Sequence, residues 1–228
     1  GDNEDQVLFQ FSVRYNLWPN DSDWDYFLAY SQRSFWRLYA WDESAPITEN
    51  NFSPELFTRY RRFRHKLRSG FDQTQIGYQH ESNGQDEDRS RGWERLYVEQ
   101  RYTHYLGPAA NSAPRIRAYL RLWWIFATDP LNDNIDEFAG PGELIVDISS
   151  GDTRGGRFYG EVVARKGGYN FRFDEGSVQL GMRWFPPWPS WVQLTPGLYA
   201  QGFFGNLQSL ERYDVRDDAI RVGIVLEN

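Results

Sequence analysis

Alternation of polar and apolar residues is the feature that most limits the folds open to this chain. The segment RIRAYLRLWWIF, Arg115 to Phe126, places arginines and tyrosine on one face of a strand and mainly aliphatic and aromatic residues on the other. The segments RFYGEVVAR, GSVQLGMRWF and the stretch from Ile220 to Leu226 repeat this period of two. Stretches with the period of a helix are hard to find, so the pattern predicts an all-β, antiparallel protein.

Eleven segments have the length and alternation of strands, and long polar connections alternate with tighter ones. The predicted strands are residues 6–18, 24–41, 52–65, 69–82, 92–107, 113–128, 138–149, 154–168, 174–185, 190–205 and 215–227. No repeat, low-complexity segment or linker divides them, so we predict one domain over residues 1–228. Outer-membrane barrels combine long loops at one end with short turns at the other, but closed bacterial barrels have even strand numbers.

Charged residues occupy the polar faces of strand after strand in the predicted sheet. They include Arg14, Arg59, Glu99, Arg101, Glu143 and Asp147. Aromatic residues make up 18% of the chain although its mean hydropathy is −0.72. A membrane barrel explains both values, because aromatic girdles lie at the interfaces and polar residues fill the interior. A soluble sandwich whose polar faces meet water is the alternative left open by the pattern.

Composition also argues against several classes of protein and site. The net charge of −7 disfavours a nucleic-acid partner. The absence of cysteine excludes disulfides, zinc–thiolate sites and cysteine catalysis. No signal-peptide pattern opens the sequence and no apolar run reaches 18 residues, so no transmembrane helix is predicted.

The segment QIGYQHESNGQDEDRSRGWERLYVEQ, residues 75–100, carries the candidate chemistry. His80 and Ser82 share one face of a predicted strand, and Glu94 lies on the corresponding outward face of the next strand. Cross-strand neighbours of this kind are within side-chain reach. A serine, a histidine and an acid are the residue types required for nucleophilic acyl transfer, and a triad facing lipid would act on lipid. The alternative is a histidine at the membrane interface followed by an ordinary Ser-Asn-Gly turn.

The acidic stretch NGQDEDRS follows Ser82 directly. Its charge suggests calcium, but its spacing is not that of an EF-hand. A solvated loop is the alternative interpretation.

The stretches GYQHESNG and SRGWERLY resemble the active-site signature of the outer membrane phospholipase A family. The segment YSQRSFWRLYAWDESAPITENNFSPELF resembles a second region of the same family. The resemblance is specific over residues 26–100 and architectural from about residue 110. It implies a barrel of about twelve strands in the bacterial outer membrane, with calcium-dependent phospholipase activity in a homodimer. The family's first strand would precede this chain, which accounts for the odd count.

By this resemblance Ser82 is the nucleophile, His80 is the general base, and the backbone N–H of Gly84 helps to form the oxyanion hole. Glu94 departs from the family pattern, because the third triad position there is asparagine. The resemblance therefore implies a Ser-His-acid mechanism in which a carboxylate replaces an amide.

The same resemblance implies a calcium site shared by two copies of the chain. Gln85, through its carbonyl, and Ser90, through its hydroxyl, match the calcium loop, and Gln85 replaces the family's arginine. Ser44 of the second copy would complete the shell of the ion. Gln32 matches a polar residue at the dimer interface.

We therefore predict a calcium-dependent outer-membrane phospholipase A that hydrolyses acyl esters of glycerophospholipids. A passive outer-membrane channel or structural barrel is the alternative, and a soluble carbohydrate-binding sandwich is a third. Bulky and charged inward residues argue against a channel, because they would fill a narrow barrel. These are Trp93, Arg95, Tyr97, Arg117 and Arg121.

Overall fold

The computed structural model describes residues 6–37, 47–62, 68–108, 110, 112–151, 153, 155–168, 175–189 and 191–227. In it the chain forms one antiparallel sheet of eleven strands, in which each strand pairs with its neighbours in sequence. The strands are β1 Gln6–Asn16, β2 Trp24–Arg37, β3 Ile47–Arg61, β4 Gly70–Ser82, β5 Gly92–Tyr105, β6 Arg115–Thr128, β7 Gly142–Ser149, β8 Arg157–Lys166, β9 Gly176–Phe185, β10 Thr195–Gly205 and β11 Asp217–Glu227. Each of the eleven predicted strands is confirmed over the described residues; the predicted residues 38–41, 63–65, 154, 174 and 190 lie outside them. Within the described residues, β1 and β11 are the edges of the sheet.

The prediction for the start of the seventh strand was wrong. A short helix, α1 (Ile135–Ala139), occupies residues assigned to that strand, and β7 begins only at Gly142. Gly140 ends the helix with φ of +63°, and a Cβ atom there would lie 1.8 Å from the Lys166 carbonyl oxygen. Only glycine fits this turn, because the backbones approach so closely.

The inward face of the sheet is filled by large and charged side chains that pair with one another. Trp93, Arg95 and Tyr97 are buried, as predicted. Ion pairs at N–O distances of 2.7 to 2.9 Å join neighbouring strands in Arg121–Glu99, Arg165–Glu143, Arg101–Asp72 and Arg117–Asp147. Arg33–Glu81, at 2.8 Å, joins β2 to β4. Buried charges require such partners, since removing an ion from water costs several kcal/mol.

The outward face is largely apolar and exposed. Leu120, Leu122 and Trp124 on β6 and Met182 on β9 are each between 49% and 67% exposed, and many other outward aliphatic and aromatic residues are exposed too. An apolar exterior around a polar interior is the pattern of a β-barrel in lipid. None of the helices in the described parts of the chain has the length and apolar character needed to cross a bilayer.

Two segments fold into the end of the barrel where the even-numbered strands finish, which we call the mouth. They are α1 and residues 206–216, and together we call them the mouth plug. Ile135, Ala139 and Leu210 are buried in the same cluster as Trp93 and Trp123 of the barrel wall. Strand β2 also contacts the plug, because Arg33 donates from Nη1 to the Gln208 carbonyl at 3.2 Å. The plug therefore bridges strands that lie far apart in the sheet order.

Candidate active site

Ser82 and His80 lie at the end of β4, at the mouth. Successive side chains of a strand point to opposite faces, so both lie on the outward face while Glu81 between them points inward. Gly92 of β5 is the cross-strand neighbour of Ser82. Because Gly92 has no side chain, the space over the Ser82 hydroxyl stays open on that side.

Glu94 is the direct cross-strand neighbour of His80. The distance from His80 Nδ1 to Glu94 Oε1 is 3.8 Å, and both side chains are about one-third exposed, at 35% and 36%. This separation exceeds a hydrogen bond and suits a weak ion pair when the imidazole is protonated. His80 and Glu94 therefore lie opposite each other on β4 and β5, as the alternation predicted.

A β-bulge lies next to this pair. The pairing of β5 with β6 shifts register between Glu94 and Arg95, where Phe126 is the extra residue. Its ring lies 6.2 Å from that of Tyr78, centroid to centroid. Bulges are common next to active sites, where they re-aim side chains of the bulged strand, here β6.

The loop of residues 83–91 follows Ser82 and is closed by Asn83. The buried Asn83 side chain accepts N–H bonds from Gln85 at 3.3 Å and Arg91 at 3.0 Å, and donates to the Arg89 carbonyl at 2.7 Å. Three bonds from one side chain fix both ends of the loop, which holds Gln85 and Ser90 near Ser82. Asn83 was not predicted as a site residue, although asparagine in an Asn-Gly pair is a known signal for such turns.

Gly84 adopts a φ of +63°, and a Cβ atom at this position would lie 2.7 Å from the Phe52 ring. Phe52 is itself the neighbour of Ser82 across β3 and β4. The left-handed backbone and the aromatic cover both require glycine. Any other residue at position 84 would therefore distort the backbone that follows Ser82, the predicted nucleophile.

Ser90 contacts Asp129, an acid that was not predicted as a site residue. Its hydroxyl donates to Asp129 Oδ2 at 2.7 Å, and Asp129 Oδ1 accepts from the Leu131 N–H at 3.0 Å. The pKa of Asp129 is lowered by the Leu131 N–H and then by the Ser90 hydroxyl. The Asp-Pro pair at the start of a short 3-10 helix was the available signal, since aspartate is a preferred N-cap.

These oxygens form a donor set compatible with calcium, which prefers carboxylate, hydroxyl and carbonyl oxygens. Asp86, Glu87 and Asp88 add negative charge in the same loop. The described residues contain no group of three or more His, Asp or Glu side chains placed to hold a metal ion. Ser44, a predicted ligand, lies outside the described residues.

A row of hydrogen-bonded polar residues marks the outward face beside the site. The Tyr30 hydroxyl donates to Gln32 Oε1 at 3.0 Å, Gln32 Nε2 donates to Ser34 Oγ at 3.1 Å, and Ser34 donates to Asn50 at 2.6 Å. Gln32 is in register with Phe52, which is in register with Ser82. The predicted interface residue and the predicted nucleophile therefore lie in one row across three strands.

Comparison with known proteins identifies the relatives of this chain. It is 29% identical to the phospholipase A1 of Escherichia coli (strain K12) over 231 residues, which cover 99% of this chain and 71% of that protein. The solved outer membrane phospholipase A from Escherichia coli superimposes with a TM-score of 0.78 at 24% identity, over 98% of this chain and 84% of that one.

The Salmonella typhi outer membrane phospholipase, solved as a dimer with bound calcium, has the same TM-score of 0.78 at 23% identity. The superposition covers 98% of this chain and 78% of that one. At these identities the structures establish the fold. A profile of the family described as Phospholipase A1 matches residues 2–226. This chain therefore belongs to the phospholipase A1 family.

Proposed function

We propose that this chain is a calcium-dependent outer-membrane phospholipase A that hydrolyses acyl ester bonds of glycerophospholipids. The observation that carries the proposal is the outward position of Ser82, His80 and Glu94 at the rim of an apolar exterior. Polar side chains facing lipid are costly, and they mark functional positions by default. A lipid ester within the bilayer reaches this face laterally, without leaving the membrane.

In the proposed reaction the Ser82 hydroxyl attacks the acyl carbonyl carbon while His80 accepts the hydroxyl proton. The tetrahedral intermediate collapses, the ester oxygen leaves with the proton from His80, and a lysophospholipid departs. Water then attacks the acyl-serine with His80 again as the base, which releases the fatty acid and restores Ser82. Glu94 holds the imidazole orientation and stabilises its cationic form.

The oxyanion of each tetrahedral intermediate needs donors that are already in place. The Gly84 N–H is the proposed backbone donor, on a loop that Asn83 ties at both ends. One such donor is typically worth about 3 kcal/mol of transition-state stabilisation. Calcium, when bound, would add positive charge beside this oxygen.

We propose that the calcium loop supplies Gln85 through its carbonyl and Ser90 through its hydroxyl, with Asp129 as a further oxygen donor. Ser44 of a second copy would complete the shell, and Gln32 would lie at the interface between copies. The calcium-bound dimer of the Salmonella typhi relative supports this assembly. Because binding and assembly are linked, calcium tightens the dimer by the same factor as the dimer tightens calcium.

The passive-channel alternative is disfavoured by the barrel interior. Buried Trp93 and Tyr97, together with ion-paired arginines, occupy the space that a channel would need. Conductance across a planar bilayer separates the two functions, since a filled barrel conducts little.

The experiment is fatty-acid release from mixed micelles of detergent and phosphatidylcholine, with calcium or with EDTA. We expect calcium-dependent release that falls at least about 10³-fold in Ser82→Ala, because loss of a nucleophile removes most of the catalysis. A sulfonyl fluoride should label Ser82 in the parent protein. The matched control is Ser12→Ala, which removes a hydroxyl from the edge strand β1.

Both variants should keep the heat-dependent electrophoretic shift of a folded barrel. Undiminished turnover in Ser82→Ala would reject the serine-hydrolase mechanism. Undiminished turnover in EDTA would reject the calcium requirement alone.

A further inference from the structure

The second part of the mouth plug, residues 206–216, reaches the candidate calcium loop through one ion pair. Glu211 accepts from Arg89 Nε at 2.9 Å and from Arg89 Nη2 at 3.0 Å, a bidentate arrangement across 122 positions of sequence. Arg89 lies in the loop between Gln85 and Ser90. Bidentate arginine–carboxylate pairs fix orientation as well as distance.

Arg89 is held at three points by different parts of the chain. Its Nη2 also donates to the Thr48 carbonyl at the start of β3, at 3.3 Å. Its own carbonyl accepts from Asn83 Nδ2 at 2.7 Å. The hydrogen bond and charge of Glu211 raise the pKa of the Arg89 guanidinium. Arg89 therefore joins the plug, the barrel wall and the residue that closes the calcium loop.

Glu211 is in turn held in place by a carboxylate that the proposed reaction does not use. The buried Glu49 of β3 accepts N–H bonds from Leu210 at 2.7 Å and from Glu211 at 2.9 Å, both through Oε1. Leu210 is 1% exposed, within the core cluster under the mouth. The backbone that carries Glu211 is thus fixed by the core of the barrel, which makes it a rigid point for holding a loop.

From this chain of contacts we propose that residues 206–216 position the calcium loop, with Glu211 and Glu49 as positioning residues for the candidate active site. The inference rests on the proposed hydrolase function of Ser82. The Arg89 and Glu211 side chains are 50% and 30% exposed. An exposed pair contributes little to the stability of a fold, so its removal should act on the loop and leave the barrel intact.

The first test measures the loop without calcium and without substrate. Hydrogen–deuterium exchange of amides in residues 83–91 is compared in the parent protein, Glu211→Ala, Arg89→Ala and the double variant, all in detergent with EDTA. We expect exchange in this loop to accelerate about five- to tenfold in each single variant, with exchange in β4 and β5 unchanged. If the two residues act through each other, the double variant should match the singles rather than add to them.

The matched control is Arg212→Ala. Arg212 is the neighbour of Glu211 in the chain and pairs with Asp217 at the start of β11, at 3.2 Å. Arg212→Ala should leave amide exchange in residues 83–91 unchanged. Unaltered loop exchange in Glu211→Ala, or additive effects in the double variant, would overturn the proposal.

The second test measures the calcium concentration that gives half-maximal fatty-acid release. We expect Glu211→Ala to raise it about three- to tenfold while the rate at saturating calcium changes less than twofold, a split that a general loss of structure does not produce. A fall in the saturating rate with an unchanged calcium midpoint would contradict the proposal. If the parent protein released no fatty acid, the proposed function would fail, and loop exchange would still decide the role of Glu211.

Discussion

Glu81 and its two neighbours, His80 and Ser82, are consecutive in sequence and lie on opposite faces of β4. Inside the barrel, Glu81 is buried and pairs with Arg33 at 2.8 Å and with Arg95 at 3.7 Å. Outside, His80 faces Glu94 at 3.8 Å, and both are partly exposed. The inward acid has two charged partners, one of them at hydrogen-bond distance, whereas the outward groups lie close together without a short bond.

The difference separates polar residues that hold the barrel from those available for chemistry. A buried carboxylate between two arginines is held in one position, which suits a structural role. A partly exposed imidazole at the rim can exchange a proton with a bound substrate, which suits catalysis. Substitutions on the two faces should consequently change different quantities.

The largest effect on stability is expected from Glu81→Gln. This change keeps the shape of the side chain but leaves Arg33 and Arg95 without their buried acid. Removing one partner of a buried pair costs about 3 to 5 kcal/mol. The measurement is the free energy of unfolding in urea with refolding into lipid vesicles.

Glu161→Gln is the matched control for Glu81→Gln. Its carboxylate is 3.9 Å from Arg183, and both side chains are about 30% exposed, so the loss should be below about 1 kcal/mol. Both acids face the barrel interior, so equal losses in the two variants would mean that burial of the ion pair does not set its cost.

Gly84→Ala should have an energetic effect almost as large on the outward site, but it should lower the catalytic rate and not the stability. The added Cβ would lie 2.7 Å from Phe52 in a backbone with φ of +63°, so the 83–91 loop must shift. Displacing one oxyanion donor costs about 10²- to 10³-fold in kcat. Gly160→Ala is the control, because its Cβ would meet nothing within 4 Å.

Removing the Phe52 ring tests whether its contact with the added Cβ causes that loss of rate. The double variant Gly84→Ala with Phe52→Ala relieves the contact but leaves the left-handed backbone, so it should recover part of the rate. Full activity in Gly84→Ala alone would mean that the loop carries no oxyanion donor.

The sequence predicts the fold well because the period of two is a local signal, repeated on every strand. It also places His80, Ser82 and Glu94 on one face by the same alternation, with no need for tertiary information. The single domain over residues 1–228 stays a prediction. The helix α1 was missed because its five residues are too few to show helical periodicity.

Contacts between distant loops could not be predicted in this way. Asp129 meets Ser90 across 39 positions, and Glu211 meets Arg89 across 122. Both acids lie in loops, where no period assigns a face or a partner. Such pairings depend on the curl of the whole sheet, which brings the ends of the even-numbered strands together at the mouth.

Glu94→Gln tests the third member of the outward constellation. An amide can still accept the imidazole N–H but does not stabilise the imidazolium. We expect the rate of fatty-acid release to fall about tenfold, far less than the roughly 10⁴-fold cost of the Asp→Asn change in a serine protease triad. The smaller loss is expected because the family resemblance implies asparagine, whose side chain is itself an amide, at this position.

The free energy of unfolding should not change in Glu94→Gln, in contrast to Glu81→Gln. Glu94→Leu, which removes the acceptor, should lose more activity than Glu94→Gln. Parent-like rates in both variants would reduce the catalytic machinery to Ser82 and His80.

Gln32→Ala is expected to have the smallest effect, on assembly alone. Gln32 already has partners within its own subunit, since Tyr30 donates to it and it donates to Ser34. A bond to a second copy would replace one of these contacts, so its net contribution is small. Hydrogen bonds between membrane segments average about 0.6 kcal/mol, which corresponds to about a threefold weaker dimer.

Sedimentation equilibrium in detergent, across a calcium titration, measures this change. Met182→Ala on β9 serves as the control, because it trims an exposed outward side chain on a distant strand. If Gln32→Ala weakened the dimer more than about 100-fold, the outward polar row would act as one cooperative unit, like the ion pairs of the interior. The two faces of the barrel would then differ in location but not in how their polar groups are coupled.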